Sequence, residues 1–416
     1  ALKRFVADWC KTYGEKEVTP LNPTKDKKVA IVGAGPAGLA CARDLITMGY
    51  PVTVFDEEML LGGMITNCIP GYRIPKEVAE YDINRIIQLG LNFRGNVKIG
   101  RDKTVDELRK EYDAIFIAIG AQKSRRLDLG TTTKGVLDGI YFLKEVKKGR
   151  RDEFGKRVLV VGGGNVAIDC AKTSLRLGTD DVSIVYRRSR KEMPAYPWEI
   201  EEAEEEGVKF HYQVAPTKIL YKDGNVVVGM ECIRFELGAP DESGRRRPLP
   251  VKGSEFTLEG DTVIVAIGQD MDLKGFESLE STSEGTIMVD QISLETSVPG
   301  IFAGGDVVRG PASVVEAIAD GREAAISIDR YLSGMDFRKG RQKEKLEKAP
   351  LPEREFKKIA RYKMLKETAE ERRKDFREIE LCFPTKDEAI EEAKRCLNCA
   401  VCSECDECVR TCSELK

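Results

Sequence analysis

Residues 27–58 read "KKVAIVGAGPAGLACARDLITMGYPVTVFDEE". Val29 to Val32 form a short apolar run that reads as a buried strand. A helix and a second strand ending near Asp56 follow it. Between the first strand and the helix, Gly33, Gly35 and Gly38 give the spacing G-x-G-x-x-G. The first glycine allows a tight turn, the second lets the backbone approach a pyrophosphate, and the third lets helix and strand pack closely. The helix N-terminus then faces the phosphates. A glycine triplet alone is weak evidence, but the flanking strand, the helix and the acid at Asp56 make this a dinucleotide site.

Residues 156–188, "KRVLVVGGGNVAIDCAKTSLRLGTDDVSIVYRR", repeat the pattern with Gly162, Gly164 and Ala167 in the same roles. Cys41 and Cys170 also correspond, and each reads as a small buried side chain between helix and sheet. The copies diverge at the end of the second strand, where Asp56, Glu57 and Glu58 stand opposite Tyr186, Arg187 and Arg188. A carboxylate there hydrogen-bonds free ribose hydroxyls, whereas guanidinium groups match a 2′-phosphate. The first loop therefore suits FAD and the second NADP(H). The alternative is a pair of solvated arginines beside an NAD(H) site.

The rest of the chain sets limits. With 416 residues, 33% charged and 41% hydrophobic, and a net charge of -3, it has length for two or three cores. No apolar run is long enough to span a bilayer, and no secretory signal pattern opens the sequence, which predicts a cytoplasmic address. The balanced charge, without a basic stripe, gives no reason to expect nucleic acid. Six of the 12 cysteines are scattered, at Cys10, Cys41, Cys68, Cys170, Cys232 and Cys382, unlike a disulfide framework.

"VGAGPAGL", "GGMITNCIPGYRIPKEV", "VGGGNVAID", "VYRRSRKEMPA" and "IFAGGDVVRGPASVVEAIADGREAA" together resemble the FAD- and NADPH-dependent small subunit of glutamate synthase and its relatives. Those relatives include the large subunit of NADH-dependent ferredoxin:NADP oxidoreductase, and the resemblance runs over roughly residues 1 to 400. It implies an α/β fold of two Rossmann-like domains, with the NADP domain (151–270) inserted into an FAD domain (27–150 and 271–335). The apolar strands "YDAIFIAIGA" and "DTVIVAIGQ", ending in Gly120 and Gly268, independently suit the two crossings between domains. By resemblance, Pro36, Ala37, Gly63 and Gly305 border FAD, and Asn165 borders NADP. Asp306 would hold the ribityl chain, unless it is a turn residue. The helix beginning near Ala312 would point its positive end at the flavin. The opening "ALKRFVADW" (within 1–26) resembles the segment that in this family follows a domain binding two [4Fe-4S] clusters. Those clusters are expected on another subunit or on a longer chain.

Hydride transfer needs stacked rings and exclusion of water more than an acid or base. The single histidine, His211, sits in an apparent strand and reads as structural, so no catalytic side chain is assigned. Cys68 and Cys170 each stand alone, which disfavours disulfide chemistry of the thioredoxin-reductase kind.

The segment 395–416 holds the other six cysteines. Cys402, Cys405, Cys408 and Cys412 have the spacing C-x2-C-x2-C-x3-C of a [4Fe-4S] loop, and Cys396 and Cys399 extend the rhythm upstream. Zinc is the competing reading, but its paired knuckles are usually separated by a longer insert. Ser413 stands where ferredoxins carry proline. The four residues after Cys412 are too few for a complete ferredoxin module, so the array is expected to continue or to dock on another polypeptide. In the family, the pair Cys396 and Cys399 also occurs without metal, which makes these the weaker ligands. Residues 336–394 read as a charged, solvated helical linker, and "EIEEAEEEG" (199–207) as an exposed helix.

The reading is a flavoprotein electron-transfer subunit linking NADP(H), FAD and iron–sulfur clusters within a glutamate synthase-like or bifurcating transhydrogenase-like complex. A stand-alone NADPH:ferredoxin oxidoreductase is the alternative enzyme, and a zinc-tailed scaffold the alternative of another class.

Overall fold

The computed structural model describes residues 2–14, 18–125, 127, 135–151, 155–223, 226–241, 244–341, 362–383 and 385–394. The cysteine segment 395–416 and the stretch 342–361 lie outside the described residues.

Two parallel five-stranded sheets organise the molecule. In the first, the spatial order is Ile301–Ala303, Ala114–Ile117, Val29–Val32, Val52–Phe55, Asn92–Arg94. The three central strands are buried along their whole length, as expected for a parallel sheet covered on both faces. Helices Pro36–Thr47 and Val314–Leu332 share one face of it. They cross so closely at Gly321 that a Cβ there would lie 2.1 Å from the Ala37 carbonyl oxygen.

In the second sheet the order is Val136–Asp138, Thr262–Val265, Arg157–Val161, Asp181–Tyr186, Lys209–Tyr212. It begins upstream of residue 151, because Val136 pairs with Val263. A four-stranded antiparallel sheet built from Val214–Lys222, Val226–Pro240, Arg246–Pro250 and Phe256–Glu259 attaches to it. The two crossings lie side by side as a short antiparallel pair, Gln269 opposite Ser124 and Asp270 opposite Lys123. His211 is half-buried in its strand, and burial lowers its pKa. Among the described residues, no helix is long and apolar enough to cross a membrane.

The acidic run is not a solvated helix. Glu199, Glu202 and Glu206 share one face of helix Pro197–Glu205 and its cap, and are only 8%, 5% and 1% exposed. Lys172, fully buried on helix Asn165–Arg176, reaches Glu202 at 2.8 Å and Glu206 at 3.6 Å. Arg176, one turn further on, pairs with Glu206 at 2.6 Å and lies over the Tyr72 ring. Burying these carboxylates costs several kcal/mol per ion unless counter-charges meet them, and here they do. Burial alone would raise the Glu202 carboxyl, yet Lys172 holds it below the usual carboxylate range.

Part of the supposed linker is likewise packed. Arg372, 6% exposed, pairs with Glu205 at 2.5 Å, and Phe376 stacks on Tyr72. Phe383 and Ile379 are buried, and Arg4 of helix Leu2–Tyr13 makes an ion pair with Glu378. Residues 362–383 thus form a strap over helix Pro197–Glu205, the Tyr72 segment and helix Leu2–Tyr13.

Candidate functional site

The two glycine loops have matching geometry. Gly33 (φ +109°) and Gly162 (φ +150°) have backbones that L side chains rarely adopt. A Cβ would lie 2.3 Å from the Ala118 carbonyl oxygen in the first case and 2.1 Å from that of Ala266 in the second. Those two alanines directly follow strands Ala114–Ile117 and Thr262–Val265, so each tight turn sits against the end of its neighbouring strand. Gly38 also admits no side chain, its Cβ position lying 1.9 Å from the Gly33 carbonyl oxygen, whereas Ala167 holds the equivalent place in the second loop.

The middle glycines differ from these. Around Gly35 nothing lies within 4 Å of a built Cβ, and around Gly164 only Pro194 comes near, at 3.9 Å. Both are helix N-caps with extended backbones and no side-chain cap bond. Each therefore offers open space over unsatisfied helix N–H groups, which is the cradle a pyrophosphate requires.

A cavity of about 570 Å³ joins the two domains. Gly33, Gly35, Pro36, Ala37, Asp56, Gly63, Gly120, Gly305, Asp306 and Ala312 line it, together with Asn165 from the second loop. Gly38, Gly162, Gly164, Ala167 and Gly268 are not on its wall, and Arg187 and Arg188 stand away from it at the end of strand Asp181–Tyr186. Asp56 accepts from Ala34 N at 2.6 Å and from Glu58 N at 2.8 Å, which fixes its carboxylate at the rim. Burial raises its pKa. Among the described residues Asp306 accepts only a 3.2 Å bond, from Ala312 N, and burial lifts its carboxyl to about 6. Its remaining acceptor positions are available to a hydroxyl-bearing ligand in the cavity. Ser313 caps helix Val314–Leu332, whose N-terminus borders the same space.

Sequence reasoning did not assign several wall residues. Tyr72 and Arg73 lie between the domains, where Arg73 pairs with Asp169 at 2.5 Å and with Glu199 at 2.7 Å. Tyr196 and Trp198, stacked at 4.5 Å, form part of the wall, as do Glu378 to Glu380 of the strap. The stretch "GYRIP" was visible in sequence, but its partners lie about a hundred positions away.

The two Arg residues expected at the 2′-phosphate behave differently. Arg187 is exposed and has no ion-pair partner among the described residues. Arg188 is buried and its Nη2 donates to Asp241 at 2.6 Å.

Among the described residues all six cysteines are free. Cys41, Cys68, Cys170 and Cys232 are buried, and burial raises each thiol pKa, that of Cys68 to about 12.

Residues 27–321 match the family described as pyridine nucleotide-disulphide oxidoreductase. The chain is 45% identical over 357 residues to the beta subunit of an NADP(+)-dependent formate dehydrogenase from Moorella thermoacetica. That match takes in 80% of this chain and 50% of the relative, so the chain spans half the relative's length. It is 38% identical over 334 residues to the glutamate synthase [NADPH] small chain of Azospirillum brasilense, covering 76% of this chain and 69% of that one. Among solved structures, FprA of Mycobacterium tuberculosis in complex with NADPH superposes with a TM-score of 0.63 at 19% identity. That superposition covers 74% of this chain and 85% of FprA, and it supports the two-domain fold.

Proposed function

The chain belongs to the pyridine nucleotide-disulphide oxidoreductase family, and on that premise we propose that it is an FAD-dependent electron-transfer subunit that passes electrons between NADP(H) and partner subunits. One observation carries this reading: the FAD-type loop and the helix of the NADP-type loop open on a single cavity. The relatives named as beta or small subunits of NADP-linked oxidoreductases support it. Bound FAD supplies the conversion between hydride and single electrons.

The chain's own residues then have definite tasks. Gly35 and the N-terminus of helix Pro36–Thr47 receive the FAD pyrophosphate, and Asp56 accepts from the adenosine ribose. Asp306 accepts from the ribityl hydroxyls. Gly164 and Asn165 receive the NADPH pyrophosphate. Arg187 meets the 2′-phosphate. Arg73, tied to Asp169 and Glu199, fixes the approach of the second domain to the first.

Asp306 gives this site a pH signature. Its folded pKa of about 6 lies above the ordinary carboxyl value, so its ionisation costs the FAD-free fold stability as pH rises from about 4 through 6. Hydroxyls donating to the carboxylate favour the ionised form, and FAD binding releases a proton. Affinity for FAD is therefore expected to rise with pH up to about 6 and then level off, and Asp306→Asn to remove the slope. A pH-independent FAD affinity in the parent protein, followed by calorimetry, would refute the assignment.

The cysteine segment extends the proposal to a [4Fe-4S] outlet, on the spacing of Cys402, Cys405, Cys408 and Cys412, with Cys396 and Cys399 as further candidates. Anaerobically purified protein is expected to hold about four irons or more per FAD. Its EPR signal after dithionite should be lost on changing Cys402, Cys405 and Cys408 to Ser. Zinc in place of iron would make the segment a structural clasp.

A further inference from the structure

The end of strand Asp181–Tyr186 carries two arginines, and the structure separates their roles. Arg188 is committed to the turn between strands Val226–Pro240 and Arg246–Pro250. Its Nη2 meets Asp241 Oδ2 at 2.6 Å and its Nε meets the Arg246 carbonyl at 2.8 Å. The turn is closed from within by Asp241 N to Arg245 O at 2.8 Å and Gly244 N to Asp241 O at 2.9 Å. A buried guanidinium with these bonds pins the hairpin onto the strand end. These bonds take up the Nε edge of Arg188, whose side chain is only 7% exposed.

What the hairpin brings with it is Arg246. Its side chain crosses to the single turn Arg190–Glu192, which continues directly from the same strand, and its Nε lies 2.8 Å from Glu192 Oε1. Glu192 is 7% exposed and is itself held by the Ser189 cap, so it is a fixed anchor. The Arg246 side chain is 47% exposed, and its Nη nitrogens have no partner among the described residues. One edge of the guanidinium fork is oriented by Glu192 and the other is free, and exposed Arg187 directly precedes Arg188, which bonds the Arg246 carbonyl.

We propose that Arg246, delivered by the hairpin, is a second guanidinium of the 2′-phosphate site beside Arg187, and that the hairpin is the element that sets NADP(H) preference. A doubly charged phosphate monoester is matched by two forks from different elements better than by one flexible strand-end arginine. The inference rests on the NADP(H) reading above, and the test separates the two.

The probes are 2′,5′-ADP and 5′-AMP, titrated calorimetrically into the full flavin-bound chain. The parent protein is expected to favour 2′,5′-ADP. Arg187→Ala and Arg246→Ala should each weaken 2′,5′-ADP binding by about tenfold or more, the worth of one charge-assisted pair, with 5′-AMP binding unchanged. Arg246→Lys should restore part of the loss, and Arg246→Gln, which keeps a polar reach to Glu192, should behave like the alanine variant. A parent protein that binds both probes equally overturns the NADP(H) reading itself. A parent that discriminates, with Arg246→Ala and Arg246→Gln keeping full preference while Arg187→Ala loses it, overturns the hairpin's role and leaves that reading intact. Equal weakening of both probes by Arg246→Gln would make the residue structural and likewise overturn the proposal.

Discussion

Gly164→Val is expected to give a folded, yellow protein whose flavin NADPH no longer reduces, and Gly35→Val a folded protein that purifies without flavin. Both positions have extended backbones that valine adopts readily, and neither has a neighbour within 3.8 Å of the new Cβ. The fold therefore has no reason to reject either change. What valine fills is the space in which a pyrophosphate meets the helix N–H groups. Losing two such bonds to a charged group, each worth ~1.5–3 kcal/mol, weakens nucleotide binding on the order of 100-fold or more. The pair is informative because each variant should spare the other nucleotide. Thermal melts and flavin content check the first half, and NADPH titration the second. If Gly164→Val lost flavin as readily as Gly35→Val, the division of nucleotides between the loops would be wrong.

Lys172→Met is expected to have the largest effect on stability, although the residue touches no solvent. Its ammonium group is fully buried, 2.8 Å from Glu202 and 3.6 Å from Glu206. Methionine preserves the packing volume but leaves those carboxylates short of a counter-charge. Removing one partner of a buried ion cluster typically costs ~3–5 kcal/mol. Urea unfolding should show that loss, and adding Glu202→Gln should recover part of it by removing the stranded charge. A loss below about 1 kcal/mol would mean that water reaches the cluster and that it does not hold the helices together.

This cluster also shows where the sequence could be read and where it could not. The two loops were legible because a dinucleotide site is written locally: strand, glycines, helix and terminal acid or arginine fall within about thirty residues. The crossings at Gly120 and Gly268 were legible for the same reason, and they lie against each other. The acidic helix was misread as solvated because its counter-charges, Lys172 and Arg176, sit thirty positions upstream. In retrospect the signal was present. Glu199, Glu202 and Glu206 recur at helical spacing, as do Lys172 and Arg176, so two complementary faces were available to pair. The strap from 362 to 383 was misread on composition alone: Phe376, Ile379 and Phe383 pack, although Leu365 and Leu381 stay exposed. Nothing local reveals that Arg188 also bonds Asp241, more than fifty residues on.

The reading that both nucleotides serve one cavity makes a direct demand on the unmodified protein. NADPH bound at the second loop must deliver its electrons to FAD held by the first. The measurement is an anaerobic titration of the flavin-bound chain with NADPH, followed by flavin absorbance. Bleaching complete near one equivalent of NADPH per FAD, with additional equivalents consumed only in proportion to iron–sulfur clusters present, is the predicted result. A flavin that stays oxidised with NADPH and NADH alike would contradict the account at its centre.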